Sequence, residues 1–129
     1  MLTVVTGQPG SGKSYWVNQQ AKSNDIIIDL DKIALAVSCT DTDSHDYPNH
    51  IRDVAIGMRA AAISRALKYT RRCDVYIIHA EPDAQTLMKY QRFGAVIKAM
   101  DTAQHVVDQR IRQRPVRNQA LVGRLRHEQ

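Results

Sequence analysis

The chain has 129 residues, of which 43% are hydrophobic, and this suits one compact domain spanning 1–129 with its own core. Its two cysteines, Cys39 and Cys73, match neither a disulfide framework nor a metal-ligand spacing. The sequence shows no leader pattern and no apolar stretch near the roughly 18 residues of a membrane span. We therefore expect a cytoplasmic protein that has no membrane partner; the oligomeric state is not indicated.

Apolar and amphipathic stretches alternate along the chain. Short β-branched runs predict four strands, at 2–6, 26–30, 75–78 and 95–99. Apolar residues spaced by three and four predict helices at 13–22, 51–69, 83–93, 102–113 and 118–127. Residues 38–50, which precede the predicted helix at 51–69, form a polar stretch that is typical of an exposed loop. This order predicts an α/β fold in which helices cover both faces of a short, mostly parallel sheet.

The segment GQPGSGKS follows the first strand directly and matches GxxxxGK[ST] at every fixed position. Glycines allow the backbone N–H groups of such a loop to point inward, and the following helix adds positive potential, so the loop holds phosphate groups. The lysine reaches the terminal phosphates and the serine hydroxyl binds Mg²⁺. We expect ATP, or another nucleoside triphosphate, to be bound by Gly7, Gln8, Pro9, Gly10, Ser11, Gly12, Lys13, Ser14 and Tyr15.

Two carboxylates lie at the end of the second strand, where ligands of parallel sheets bind. Asp31 is a candidate general base that accepts the proton of an attacking hydroxyl. Asp29, two residues earlier, points to the same side if this segment is extended, and it could hold Mg²⁺ through water. The alternative for Asp31 is a cap on a helix that begins at Lys32.

The C-terminal end carries the net charge of +5. From Arg110 onward it has six arginines, one glutamate and no lysine, whereas the preceding residues are balanced. Arginine favours planar, bidentate contact with phosphates. The segment therefore indicates either a phosphate-binding surface or a solvated helix face.

With these motifs the chain resembles the P-loop kinases, especially the polynucleotide kinase type and small P-loop proteins of phage genomes. The resemblance extends from GQPGSGKS through DLDK and VYIIHAEP to DQRIRQRPVR. It implies a three-layer P-loop NTPase fold with strand order 2-3-1-4, Asp31 as general base, and an arginine lid near 108–118 that closes over the donor phosphates. Arg110 and Arg114 would be catalytic lid residues, and Arg112 and Arg117 would bind the nucleotide.

The chain departs from this group at two positions. The arginine usual three residues after the base is replaced by Ala34, and the third strand leads to His79 and Glu81 instead of an aspartate that supports magnesium. Either Glu81 substitutes for that aspartate, or metal binding depends on Ser14 and Asp29.

The remaining polar residues have weaker interpretations. Asp43, His45, Asp46 and His50 lack the regular spacing of a zinc site, so we prefer a loop that orders over an acceptor, with Arg52 as a phosphate contact. We expect Tyr15, Trp16 and Val17 to be packing residues. For His79 we prefer a hydrogen-bonded polar residue over the alternative of a catalyst beside the loop.

Three functions fit the sequence. The first is an ATP-dependent kinase that phosphorylates a DNA or RNA end, a nucleoside or a nucleotide. The second is a weak ATPase whose nucleotide-bound state binds nucleic acid or a protein. The third is a kinase of a cell-wall sugar or another metabolite.

Overall fold

The computed structural model describes residues 1–39 and 47–100 and places four parallel strands in one sheet. These are β1 (Leu2–Thr6), β2 (Ile26–Asp29), β3 (Val75–Ile78) and β4 (Val96–Ala99). Neighbours follow the order β2-β3-β1-β4, with Val4 level with Ile77 on one side and Ile97 on the other. The predicted strand order is confirmed, and the carboxyl ends of all four strands lie at one edge.

Within the described ranges, four helices connect these strands: α1 (Lys13–Gln20), α2 (Leu30–Ala36), α3 (Asn49–Ala66) and α4 (Ala84–Arg92). A 3-10 turn, Leu67–Tyr69, continues α3 towards β3. Because α3 leads into the amino end of β3, its own first turn lies towards the carboxyl edge of the sheet.

The core has one layer on each face of the sheet. On one face, Ile63 of α3 and Tyr90 of α4 pack on a cluster with Val4 and Ile77. On the other face, Val17 of α1 packs against Val5 and Ile78. The predicted α/β architecture with helices on both faces is therefore confirmed within the described chain.

Several predicted boundaries shift by a few residues. The second strand ends at Asp29 instead of residue 30, because Leu30 is the first residue of α2. Leu30 is buried where α2 packs on Ala55 of α3. Helix α1 ends at Gln20 instead of residue 22, because Ala21 has an extended backbone. Helix α3 begins at Asn49, two residues before the predicted start at 51. Residues Asp83 and Phe93 are the caps of α4, as their sequence context indicates.

Some predictions lie outside the described residues. These are the arginine lid near 108–118 and its two flanking helices, together with the part of the polar loop that holds Asp43, His45 and Asp46. No helix in the described ranges combines the length and apolar character needed to cross a membrane.

Asp25 ties the amino ends of β2 and β3 together. Its carboxylate accepts hydrogen bonds from Lys22 N–H (2.8 Å) and Asp74 N–H (3.0 Å), and these bonds lower its pKa below the ordinary 3.8. The folded state therefore binds this proton more weakly than the unfolded chain does, so the stabilisation is complete above pH 3.8 and is lost as pH falls through the folded pKa.

We expect Asp25→Asn to lower the melting temperature at neutral pH, with the difference from wild type shrinking as the pH falls to about 3. Thermal unfolding followed by circular dichroism across this range measures the effect. Asp53→Asn, on an exposed turn of α3, is the matched control. An Asp25→Asn deficit that is independent of pH would contradict the assignment.

Candidate functional site

The glycine loop bends through a turn that its sequence dictates. Ser11 N–H donates to Gln8 O (3.1 Å), with Pro9 and Gly10 at the centre of the turn. Proline fixes a negative φ at the second position of a type II turn, and Gly10 supplies the positive φ, 84°, that the third position requires. The chain thereby turns back towards α1.

Gly7, where the loop leaves β1, has no room for a side chain. Its N–H donates to Ala80 O (3.0 Å), beyond the end of β3. Its φ is +142°, and a Cβ here would lie 2.8 Å from Ser11 Oγ and 3.0 Å from Met100 O. Only glycine suits this position.

The start of α1 differs from the starts of α2 and α4. Asp29 and Asp83 cap those two helices with their carboxylates, whereas the α1 cap is Gly12, with φ 91° and no side-chain cap bond. The first turn of α1 contains no acidic residue. Lys13 Nζ donates to Gly7 O (2.8 Å) and Gln8 O (3.0 Å), which places its ammonium group inside the loop. The loop therefore combines the Lys13 ammonium group with the positive end of the α1 dipole, an arrangement that favours binding of an anion.

Asp29 links the loop helix to α2. Its Oδ2 accepts from Ser14 Oγ (3.1 Å), and its Oδ1 accepts from Asp31 N–H (3.0 Å). The side chain is only 6% exposed. Burial, followed by the charge of Asp31, raises the pKa of Asp29 above its ordinary value despite these two bonds. The Ser14 hydroxyl and the Asp29 carboxylate together offer oxygen ligands of the kind that a hard cation such as Mg²⁺ prefers.

Asp31 lies in the first turn of α2 and is held by a different partner. Tyr47 OH donates to Asp31 Oδ1 (2.9 Å), and the positive charge of the buried Arg52 acts on Tyr47. Burial and the Asp31 carboxylate raise the pKa of Tyr47, so the phenol keeps its proton and remains a donor. Asp31 is half-buried and can be approached by solute.

The structure corrects two expectations about the acids. The helix begins at Leu30 and is capped by Asp29, so the alternative of Asp31 as a cap is wrong. The two residues do not share an extended segment either, because Asp29 ends β2 and Asp31 is helical.

Two of the three packing predictions on α1 are confirmed. Val17 is buried and Trp16 packs beside it, making an edge-to-face contact with Tyr76. The prediction that Tyr15 packs is wrong, because this residue is 72% exposed.

At the end of β3, His79 is buried and its Nδ1 lies 3.0 Å from Tyr90 OH, so the prediction of a hydrogen-bonded histidine is confirmed. Glu81 is exposed, and it takes no part in the hydrogen bond between Ser14 and Asp29. The described residues also contain no cluster of three or more His, Cys, Asp or Glu that could hold a metal.

The sequence interpretation missed Tyr47 and Arg59. Tyr47 is the one aromatic side chain of a polar stretch and precedes Pro48 at the start of α3. Arg59 is two turns after Arg52, in line with buried positions of α3, so the helical period would have placed it on the inner face.

Comparisons with known proteins concern the fold. No protein-family model matches the chain, and no curated protein matches its sequence. Among solved structures, a chain of the Pnkp1/Rnl/Hen1 complex superposes with a TM-score of 0.62 at 19% identity. The match covers 84% of this chain but 38% of that one, so this chain spans well under half of the other's length. At this identity the likeness shows a shared fold.

We expect Gly7→Ala to destabilise the protein by roughly 1–3 kcal/mol, since a Cβ would clash and the positive φ would be strained. Gly57→Ala is the contrasting control, because nothing lies within 4 Å of its Cβ position in the interior of α3. That change should stabilise by about 0.5–1 kcal/mol. Urea unfolding measures both, and equal effects would contradict the described loop.

Asp29→Asn should leave the nucleotide-free protein at least as stable as wild type at neutral pH. The raised pKa means that the folded state binds the proton more tightly, so wild type loses stability as pH rises above 3.8. The amide oxygen can still accept from Asp31 N–H, and the amide NH2 can donate to Ser14 Oγ where the carboxylate accepted from it. Urea unfolding across pH should show the variant's advantage opening with rising pH and closing below 3.8. A variant less stable at every pH would refute this.

Proposed function

We propose that this chain is an ATP-dependent phosphotransferase that moves the γ-phosphate to a hydroxyl of a nucleic-acid end, a nucleoside or a nucleotide. The observation that carries the proposal is the contact between Ser14 Oγ and Asp29 Oδ2 (3.1 Å), because it joins the phosphate loop to a carboxylate at the strand edge. The fold shared with a chain of the Pnkp1/Rnl/Hen1 complex supports it.

The loop is proposed to bind the triphosphate. The backbone N–H groups at the start of α1 would donate to phosphate oxygens, and Lys13 can exchange its bonds to Gly7 O and Gln8 O for bonds to those oxygens. A positive group held in this position stabilises the charge that develops on the transferred phosphoryl group. We also propose that the lid arginines contact the donor phosphates; these are Arg110, Arg112, Arg114 and Arg117.

Ser14 and Asp29 would hold Mg²⁺, which keeps several waters and binds through few protein oxygens. When bound, the ion neutralises charge on the β- and γ-phosphates. We assign no metal role to Glu81, since it is exposed and takes no part in the hydrogen bond between Ser14 and Asp29.

Asp31 is the proposed base. Its carboxylate takes the proton of the acceptor hydroxyl while the hydroxyl oxygen bonds to the γ-phosphorus; the bond from phosphorus to the bridging oxygen breaks, and ADP leaves. The hydrogen bond from Tyr47 to Oδ1 fixes the orientation of this carboxylate.

One observation favours a second candidate, a nucleotide-operated binding protein. Ala34, three residues after Asp31, is fully buried against α3, so this position offers no cation to the acceptor. In that case hydrolysis would control binding to nucleic acid or to a protein.

Asp31→Asn should reduce transfer of radiolabelled γ-phosphate by about 100-fold or more, because the amide cannot accept the proton. The ATP dissociation constant should stay within about twofold of wild type, whereas Lys13→Ala should weaken it. Asp53→Asn is the control for loss of one carboxylate.

The acceptor panel should include oligonucleotides, nucleosides, nucleotides and sugars. Wild-type protein that binds ATP but transfers phosphate to none of them would exclude the kinase. If it then bound nucleic acid only with nucleotide present, the second candidate would stand.

A further inference from the structure

Helices α3 and α4 both end at the amino edge of the sheet, because they lead into the amino ends of β3 and β4. Leu67, just after α3, and Ala95, shortly after α4, pack against the same core cluster, so the two ends lie on one face of the sheet. Only β1 separates β3 from β4, which puts the starts of these strands about 10 Å apart. Six exposed cations lie on the two helix ends: Arg65, Lys68, Arg71, Arg72, Lys89 and Arg92.

Two aromatic residues are exposed among these cations. Tyr69 is 44% exposed and Phe93 is 54% exposed. The backbone that carries them is hydrogen-bonded: Arg72 N–H and Cys73 N–H donate to Tyr69 O (2.9 and 3.1 Å), and Phe93 N–H donates to Tyr90 O (3.1 Å). Each ring is therefore presented to solvent from a fixed turn.

Nearby acids do not neutralise this surface. Neither helix end carries an acid between its first and last cation. Of the acids beside them, Asp74 lies 3.3 Å from the N-terminal ammonium and Asp25 accepts two backbone bonds. None of the six cations forms an ion pair with another described residue. The helix dipole favours cations in the last turns of α3 and α4, but Arg71 and Arg72 lie beyond the helix and have no such partner.

Cations and exposed rings together suit a single strand of nucleic acid. Guanidinium groups donate paired hydrogen bonds to phosphates, and an aromatic ring offers a stacking surface to an unpaired base. An anionic membrane would require a continuous apolar helix face for insertion, whereas these two rings stand singly on separate segments. An acidic protein would match the cations but would not account for the rings.

We propose that this amino-edge surface, which consists of the six cations with Tyr69 and Phe93, binds single-stranded DNA or RNA. Phosphates would contact the cations, and bases would stack on the two rings. The surface lies at the edge opposite the glycine loop and Asp31, so the proposal does not depend on phosphate transfer. A strand bound there stays attached to the protein whatever occupies the carboxyl edge.

The test measures the anisotropy of a fluorescent oligothymidylate of about 12 nucleotides at several salt concentrations without ATP. A 5′-phosphate on this strand removes the 5′-hydroxyl that the proposed kinase would use. The double variant Arg71→Gln/Arg72→Gln should raise Kd about tenfold or more and flatten the dependence of log Kd on log salt by about 1.4, or about 0.7 for each lost phosphate contact. The matched control, Lys32→Gln/Lys98→Gln, removes two exposed charges elsewhere and should change neither quantity.

The rings are tested without a change in charge. Tyr69→Leu and Phe93→Leu should each raise Kd about fivefold or more, because a stacking surface is lost. Phe93→Trp keeps an aromatic surface, so it should bind as wild type does, and the fluorescence of the introduced indole should fall on binding. Circular dichroism checks that each variant is folded.

The outcomes decide between the classes of partner. Oligonucleotide affinity that is equal in wild type and in all these variants would overturn the proposal, because the strand would then be held elsewhere. Polyglutamate or phosphatidylserine vesicles that bind at least as tightly, with the leucine variants unaffected, would also overturn it in favour of an acidic protein or a membrane. Loss of oligonucleotide binding in both the arginine and the leucine variants would support the surface, even if the protein transfers phosphate to no acceptor.

Discussion

Parallel pairing around β1 is the constraint on which the other features depend. With β3 on one side and β4 on the other, the carboxyl ends of these strands meet where the glycine loop begins. Two further bonds, Gly7 N–H to Ala80 O and Met100 N–H to Thr6 O, extend this connection beyond the strands. A side chain at Gly7 would force them apart. The positions of α1 and of the residues after β3 are therefore fixed relative to each other.

The two edges of the sheet differ in their electrostatics. At the amino edge, Asp25 is half-buried, accepts two backbone bonds and has a lowered pKa, and the N-terminal ammonium lies 3.3 Å from Asp74. At the carboxyl edge, Asp29 is buried with a raised pKa, and Arg52 is buried on α3. The first arrangement stabilises the fold, whereas the second raises its free energy. Buried charge concentrated at one edge is typical of a site that binds charged ligands.

Sequence predicted what local patterns determine. The strands, their order and the phosphate loop follow from apolar runs and from the fixed positions of GQPGSGKS. The predicted strand end is wrong where burial depends on a distant segment. The predicted strand at 26–30 includes Leu30, yet Leu30 is the first residue of α2 and packs with Ala55 of α3. Likewise, no local signal pairs Tyr47 with Asp31, sixteen residues earlier, since only the packing of α3 on α2 brings them together.

Asp29 connects the two halves of the site through its two oxygens. Oδ2 accepts from Ser14 on α1, the helix that begins at the phosphate loop, and Oδ1 accepts from Asp31 N–H in α2, which leads to Tyr47 and Arg52. A carboxylate bonded on both sides cannot move towards one helix without stretching its bond to the other. A change in charge near Ser14 would therefore alter the position of Asp31, because one buried residue, Asp29, is bonded to both.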